Sequence, residues 1–183
     1  MADCSIVARR HAHVLVVLHK PENAMTTNAP IVERVPVSCL PKHLLLQADP
    51  EEAAIDAYPE DGIGLRAKLD DQVVGGCVLK ACHHKELELL NIAVMPALQQ
   101  RGIGTLLLKA SIDTARVQAC HRLVLGTGAF GHQLSFYQRH GFRVVEVQKD
   151  YFTRHYARPL FENGIQHRDR LWLALDLSIT ISE

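Results

Sequence analysis

The chain has 183 residues, which suits a single domain, and 48% of them are hydrophobic, enough to bury one sizeable core. Lys plus Arg equal Asp plus Glu at twenty each, so the formal net charge is zero. That balance argues against a basic field for nucleic acid and against an acidic solvating tail.

Residues 1–30 include Pro21, Asn23, Thr26, Thr27, Asn28 and Pro30 and read as an N-terminal extension ahead of a domain over 31–183. Ordered patterning starts beyond Met25, which makes Met25 a candidate natural start. Ile31 to Val37 alternates apolar and polar residues as a half-buried strand does. Pro41 to Ala48 and Pro50 to Tyr58 read as short helices, the first with Pro in its first turn and the second opened by Glu51 and Glu52. Ile63 to Leu69 and Val73 to Lys80 are strands joined by a turn at Asp70-Asp71. Glu86 to Met95 is the strongest central strand. Ile103 to Val117 carries Ile103, Leu106, Leu107, Ala110 and Ala115 near helical spacing. Leu123 to Gly126 is a strand, His132 to His140 a helix stopped by Gly141, Phe142 to Val147 a strand, and Leu171 to Leu177 the last strand. The alternation predicts an α/β domain, with helices packed on a mixed sheet.

The five cysteines (Cys4, Cys39, Cys77, Cys82 and Cys120) are odd in number, scattered and without a CxxC pair. They point to a reducing compartment and to thiols that pack as small apolar side chains. His11/His13 and His83/His84 lack cysteines or carboxylates at ligand spacing, so no metal site is expected. No stretch reaches the ~20 apolar residues of a membrane span. Arg9 and Arg10 precede the apolar run Val14 to Leu18, but that run is too short for a secretory leader and histidines interrupt or flank it. The expected location is the cytoplasm, with no membrane and no nucleic-acid partner.

The segment that carries chemistry is Asn91 to Gly104, NIAVMPALQQRGIG. A strand ends at Met95-Pro96, a polar turn follows, and Gly102-Ile103-Gly104 opens a long helix. Glycines let the backbone turn tightly and approach a ligand closely. The first amides of a helix lack internal partners and, with the helix dipole, form a site for an anion such as pyrophosphate. Arg101 adds a direct ion contact. The P-loop pattern GxxxxGK[ST] is absent, and the third glycine of the dinucleotide fingerprint is missing.

Gln99-x-x-Gly102-x-Gly104 resembles the (Q/R)xxGx(G/A) motif of GNAT acetyltransferases, placed between a strand and a helix as in that family. Tyr137-Gln138-Arg139-His140-Gly141-Phe142 resembles its second landmark, Y-x-x-x-G-F. The resemblance covers residues 31–177. Within the superfamily, LPKHLLLQADP, GTGAFGHQLSFYQRHGF and FENGIQHRDR are similar to small bacterial members with mostly unassigned acceptors. The resemblance implies a mostly antiparallel sheet of six to seven strands flanked by about four helices, and acetyl-CoA as cosubstrate. It implies that Gln99, Gln100, Arg101, Gly102, Ile103 and Gly104 hold the pyrophosphate. It also implies that the strand edge at Ile92, Ala93 and Val94 pairs with the pantetheine arm, in a gap where that strand splays from Leu123 to Thr127. Gly126 and Gly128 would suit such an opening by removing side chains from it.

Acyl transfer to an amine needs the neutral nucleophile, whereas an alkylamine has a pKa near ~10.4. The resemblance places a base at Glu88, with Glu86 on the same strand face in the absence of a bulge. It places Tyr137 near the cofactor sulfur; phenol at ~10 is a weaker acid than thiol at ~8.5, so a hydrogen bond to the developing thiolate is the expected role. Asp150, Tyr151, His155, Tyr156, Glu162, Asn163, His167 and Asp169 precede the last strand and suit a cationic amine or a solvated loop. The expectation is transfer to the primary amine of a small molecule, with homodimerisation common among relatives. The other readings are a non-catalytic acetyl-CoA-binding module and a protein acetyltransferase.

Overall fold

The computed structural model describes residues 29–177. All but the last two residues of the expected extension over 1–30, Met25 among them, lie outside the described residues, as do residues 178–183 of the expected domain. In chain order the elements are β1 (Ile31–Pro36), α1 (Lys42–Leu45), α2 (Glu52–Asp56), β2 (Ile63–Leu69), β3 (Gln72–Cys82), β4 (Glu86–Val94) and α3 (Ile103–Val117). There follow β5 (Arg122–Gly128), α4 (His132–Arg139), β6 (Arg143–Gln148), α5 (Tyr151–His155), β7 (Phe161–Glu162), β8 (Ile165–Gln166) and β9 (Arg170–Asp176).

Seven strands form one sheet in the order β1-β2-β3-β4-β5-β9-β6. β4 and β5 are parallel and joined through α3, and the other pairs are antiparallel. The β2–β3 hairpin turns at Asp70 and Asp71, whose φ values of 48° and 65° are the left-handed angles that a two-residue turn demands. α3 buries Ile103, Leu107, Leu108, Ser111 and Ala115 along one stripe. They pack with Leu87 and Leu89 of β4, Leu123 and Leu125 of β5, and Leu173 of β9 in the main core. On the opposite face, Leu40, Leu45, Ile55 and Val78 form a second cluster under α1 and α2.

Strand β4 changes face along its length. Leu79 lies opposite Leu89 but Val78 lies opposite Asn91, so Leu90 is an extra residue. Such a bulge bends the strand and puts two successive side chains on one side. Leu87 and Leu89 face α3, Leu90 joins the α1–α2 cluster, and Ile92 and Val94 return to the α3 side.

Two expectations are corrected. The early helices, expected over Pro41 to Ala48 and Pro50 to Tyr58, contract to four and five residues. Pro50 disfavours helical backbone at Asp49, and Glu51 is extended at φ −88°, ψ 104°. The polar connection expected after β6 is structured: it holds α5 and the β7–β8 hairpin, whose turn residues Asn163 and Gly164 have φ of 52° and 77°. The last strand in the chain is inserted between β5 and β6. That leaves β6 as an edge strand with Val144, Val145 and Val147 exposed.

Candidate functional site

β4 and β5 pair from Glu86↔Arg122 to Leu89↔Leu125 and no further. Both strands continue, each held by its outer neighbour. β3 holds Asn91 to Val94, and β9 holds Gly126 to Gly128. A slot therefore opens through the sheet beyond the bulge at Leu90. The inner edge of β4 along Ile92, Ala93 and Val94 presents backbone groups without a strand partner. Such an edge pairs with an extended chain that carries its own amides.

At the end of β4 the backbone folds into a turn suited to an anion. Gln99 donates from Nε2 to the Val94 carbonyl at 3.2 Å, tying the turn to the strand. Gln100 and Gly102 take φ of 59° and 83°. A side chain at Gly102 would meet nothing within 4 Å, so glycine is needed there for the angle and not for room. The first bond into the α3 helix runs from Leu106 N–H to the Gly102 carbonyl at 2.9 Å. The amides of Ile103, Gly104 and Thr105 thus have no helical acceptor. The Ile103 side chain is buried in the core, so only its amide can serve a ligand. Gln100 and Arg101 are exposed. A Cβ on Gly104 would lie 3.7 Å from the Phe136 ring, an ordinary contact.

Tyr137 stands on α4, buried in the core on the α3 side. Its ring makes edge contacts with Phe136 at 5.3 Å and Phe142 at 5.8 Å between centroids. Burial, and to a lesser degree the neighbouring Cys77, hold the phenol well above its ordinary pKa. It therefore stays protonated and is a hydrogen-bond donor, not a source of free protons. Glu88 stands opposite Lys80 on β3 and Val124 on β5, and the Cys82 thiol donates to its Oε2 at 3.6 Å. Strand alternation turns it away from Leu87 and Leu89, so Glu88 and Tyr137 are on opposite faces of the sheet. They can address one group only through the slot. Glu86 shares the Glu88 face, because the bulge lies beyond both, and meets Arg122 at 3.6 Å.

On that second face several polar groups gather beside the slot. Asn91, 4% exposed, donates from Nδ2 to the Leu45 carbonyl at 3.0 Å and the Tyr58 hydroxyl at 3.1 Å. Its Oδ1 is buried with no partner among the described residues. The Tyr156 hydroxyl donates to Asp49 at 3.2 Å and so joins the β6–β9 connection to the α1–α2 loop. Burial, with Asp49 nearby, pushes the Tyr58 hydroxyl up to about 12.

The carboxylates that the sequence offers for a cationic amine are engaged. Asp169 accepts the Asp150 N–H at 2.8 Å, Asp150 pairs with Arg168 at 2.9 Å, and Glu162 pairs with His167 at 3.2 Å. Gly126 and Gly128 make room for side chains and do not merely widen the gap. A Cβ on Gly126 would fall 2.6 Å from Arg170 Cδ, and one on Gly128 2.6 Å from His167 Nδ1. Sequence reasoning missed Asp49, Tyr58, Asn91, Arg170 and Trp172. The Asn163-Gly164 pair was a legible hairpin signal in the connection, but no local pattern marks the other five.

Among the described residues, no helix is long and apolar enough to cross a membrane, and no group of three or more His, Cys, Asp or Glu could hold a metal ion.

Comparison with known proteins agrees with this geometry. Residues 33–142 match the Acetyltransferase (GNAT) family. The uncharacterized N-acetyltransferase YvbK of Bacillus subtilis is 42% identical over 135 residues, 73% of this chain and 87% of that protein. A structure described as an IAA acetyltransferase from Bacillus cereus superposes with a TM-score of 0.78 at 41% identity, covering 81% of this chain and all of that one. A GNAT family acetyltransferase from Elizabethkingia anophelis with acetyl-CoA bound gives 0.78 at 35% identity, over 82% of this chain and 99% of that one. From its slotted sheet, its glycine turn and these relatives, the chain belongs to the GNAT family of N-acetyltransferases.

Proposed function

We propose that this protein transfers the acetyl group of acetyl-CoA to the primary amine of a small molecule by direct attack in a ternary complex. The observation that carries the reading is the slot between β4 and β5, which starts beyond Leu89 and Leu125 and ends beside the N-terminus of α3. The residues fit acetyl-CoA. The amides from Gln99 to Gly104 and the Arg101 side chain take the pyrophosphate. The free edge at Ile92, Ala93 and Val94 pairs with the amides of the pantetheine arm, which lies in the slot.

The thioester then lies within the sheet, reachable from both faces. On the second face, Glu88 takes the proton of the incoming ammonium, directly or through water. The amine nitrogen bonds to the carbonyl carbon, the carbon–sulfur bond breaks, the sulfur leaves with the electron pair, and the nitrogen gives its second surplus proton to solvent as the neutral amide forms. From the α3 side, the Tyr137 hydroxyl donates a hydrogen bond to that sulfur as charge develops. The released thiolate takes its proton from solvent. A small acceptor is favoured by the IAA acetyltransferase description of the Bacillus cereus relative and by the Tyr156–Asp49 bond, which links elements flanking the second face.

The test is an acceptor screen at fixed acetyl-CoA, read by free-thiol release and by mass of the product, with small amines beside peptide amines. Turnover of small amines is expected. Turnover of peptides alone would make the protein a protein acetyltransferase, and binding of acetyl-CoA without turnover of any amine would make it a cofactor-binding module.

A further inference from the structure

Arg170 opens β9, half-buried, opposite Gly128 of β5 and Gln148 of β6. Its side chain lies along the sheet surface over Gly126, where an added Cβ would fall 2.9 Å from Nε and 3.1 Å from Nη1. The guanidinium carbon is 3.7 Å from the centroid of Tyr151 and 4.8 Å from that of Trp172. Nε donates to Gln148 Oε1 at 2.7 Å. Two aromatic rings and one hydrogen bond thus fix the plane of the group. The other partly covered arginines have carboxylates: Arg66 meets Glu33 at 2.7 Å and Arg122 meets Asp176 at 2.8 Å. Among the described residues, Arg170 meets none. Its charge is held at the protein surface without compensation, and its terminal nitrogens keep the donor fork that matches a carboxylate.

The position is as informative as the chemistry. Gly126 is the first residue of β5 past the last pair with β4, so the guanidinium sits where the slot opens. Trp172 and Arg170 alternate with Leu171 and Leu173, which pack in the α3-side core, so Arg170 belongs to the second face, from which the amine must come. We propose that Arg170 binds a carboxylate of the acetyl acceptor, so that the acceptors are small amines bearing a carboxylate. This rests on the small-amine reading above. A single guanidinium matches the single charge of a carboxylate, and a side chain at position 126 would displace it.

The test compares amino acids with their own carboxamides, and with aminoalkyl phosphonates, as acceptors for wild type, Arg170→Lys and Arg170→Met. Wild type is expected to favour the carboxylate by about tenfold or more in kcat/KM. The preference falls to near unity in Arg170→Met and is kept in part by Arg170→Lys, which retains charge without the fork. Acetyl-CoA affinity and melting temperature report whether each variant folds. Carboxamides used as well as carboxylates by wild type, or a preference that survives in both variants, overturns the proposal. Phosphonates favoured over carboxylates also overturn it. If no small amine turns over, the small-amine reading falls, and Arg170 is judged by calorimetry on the CoA-loaded protein. Binding of the amino acid but not its amide, lost in Arg170→Met, upholds the site; equal binding or none ends it.

Discussion

Removing one oxygen from Tyr137 separates a packing tyrosine from a catalytic one. Tyr137→Phe keeps the ring and its edge contacts with Phe136 and Phe142. In the free protein the hydroxyl is raised in pKa by burial and by Cys77, with no hydrogen bond contributing. Deleting it therefore breaks no internal bond and removes a desolvated polar group, so stability should change by less than about 1 kcal/mol, or about 2–4 °C in melting temperature. If the hydroxyl donates to the leaving sulfur, its loss appears in the transition state as a fall in kcat of about a hundredfold, ~3 kcal/mol. Acetyl-CoA affinity by calorimetry should stay within about threefold, because a hydrogen bond to a neutral thioester sulfur is weak. The raised pKa also means that the phenol stays protonated below its ordinary value of ~10, so loss of its proton should not depress the wild-type rate in that range. The assay is thiol release at saturating acceptor and acetyl-CoA, with a pre-steady-state measurement to show that chemistry limits turnover. A kcat within about threefold of wild type, with chemistry limiting, would refute the assignment and leave Tyr137 as core packing.

Three further substitutions address the rest of the site. Gly102→Val forces a β-branched side chain into φ 83°, costing about 1–2 kcal/mol of stability and weakening acetyl-CoA binding by tenfold or more, whereas Gly104→Ala should fold normally because its Cβ meets only ordinary contacts. Calorimetry of both variants checks this, and wild-type affinity in a folded Gly102→Val would remove the pyrophosphate reading. Glu88→Gln should lower kcat by about a hundredfold or more, with acetyl-CoA affinity unchanged. A kcat within about threefold of wild type, with chemistry limiting, would make Glu88 a plain sheet charge opposite Lys80.

The family and the glycine turn ahead of α3 were legible because they are local. The backbone angle at Gly102 and the stop at Gly141, φ 90°, depend on residues a few positions away, so a short motif suffices to encode them. The Asp70-Asp71 hairpin and the α3 stripe follow from turn chemistry and helical period in the same way. The early helices were read too long because helical pattern persists past residues where Pro50 interrupts the backbone. Features on the second face of the sheet depend on pairings that no local window contains. The Leu90 bulge exists only relative to the β3 register. The insertion of β9 between β5 and β6 brings Arg170 over Gly126, 44 positions earlier in the chain by their numbering, and gives that glycine its purpose. Asp169 and Glu162 looked available for a substrate in the sequence, and the fold commits them to Asp150 and His167. Composition and period decide which segments become strands and helices. Strand order decides which charges are neutralised and which face the slot, because neutralisation requires contact and those contacts are made across the sheet.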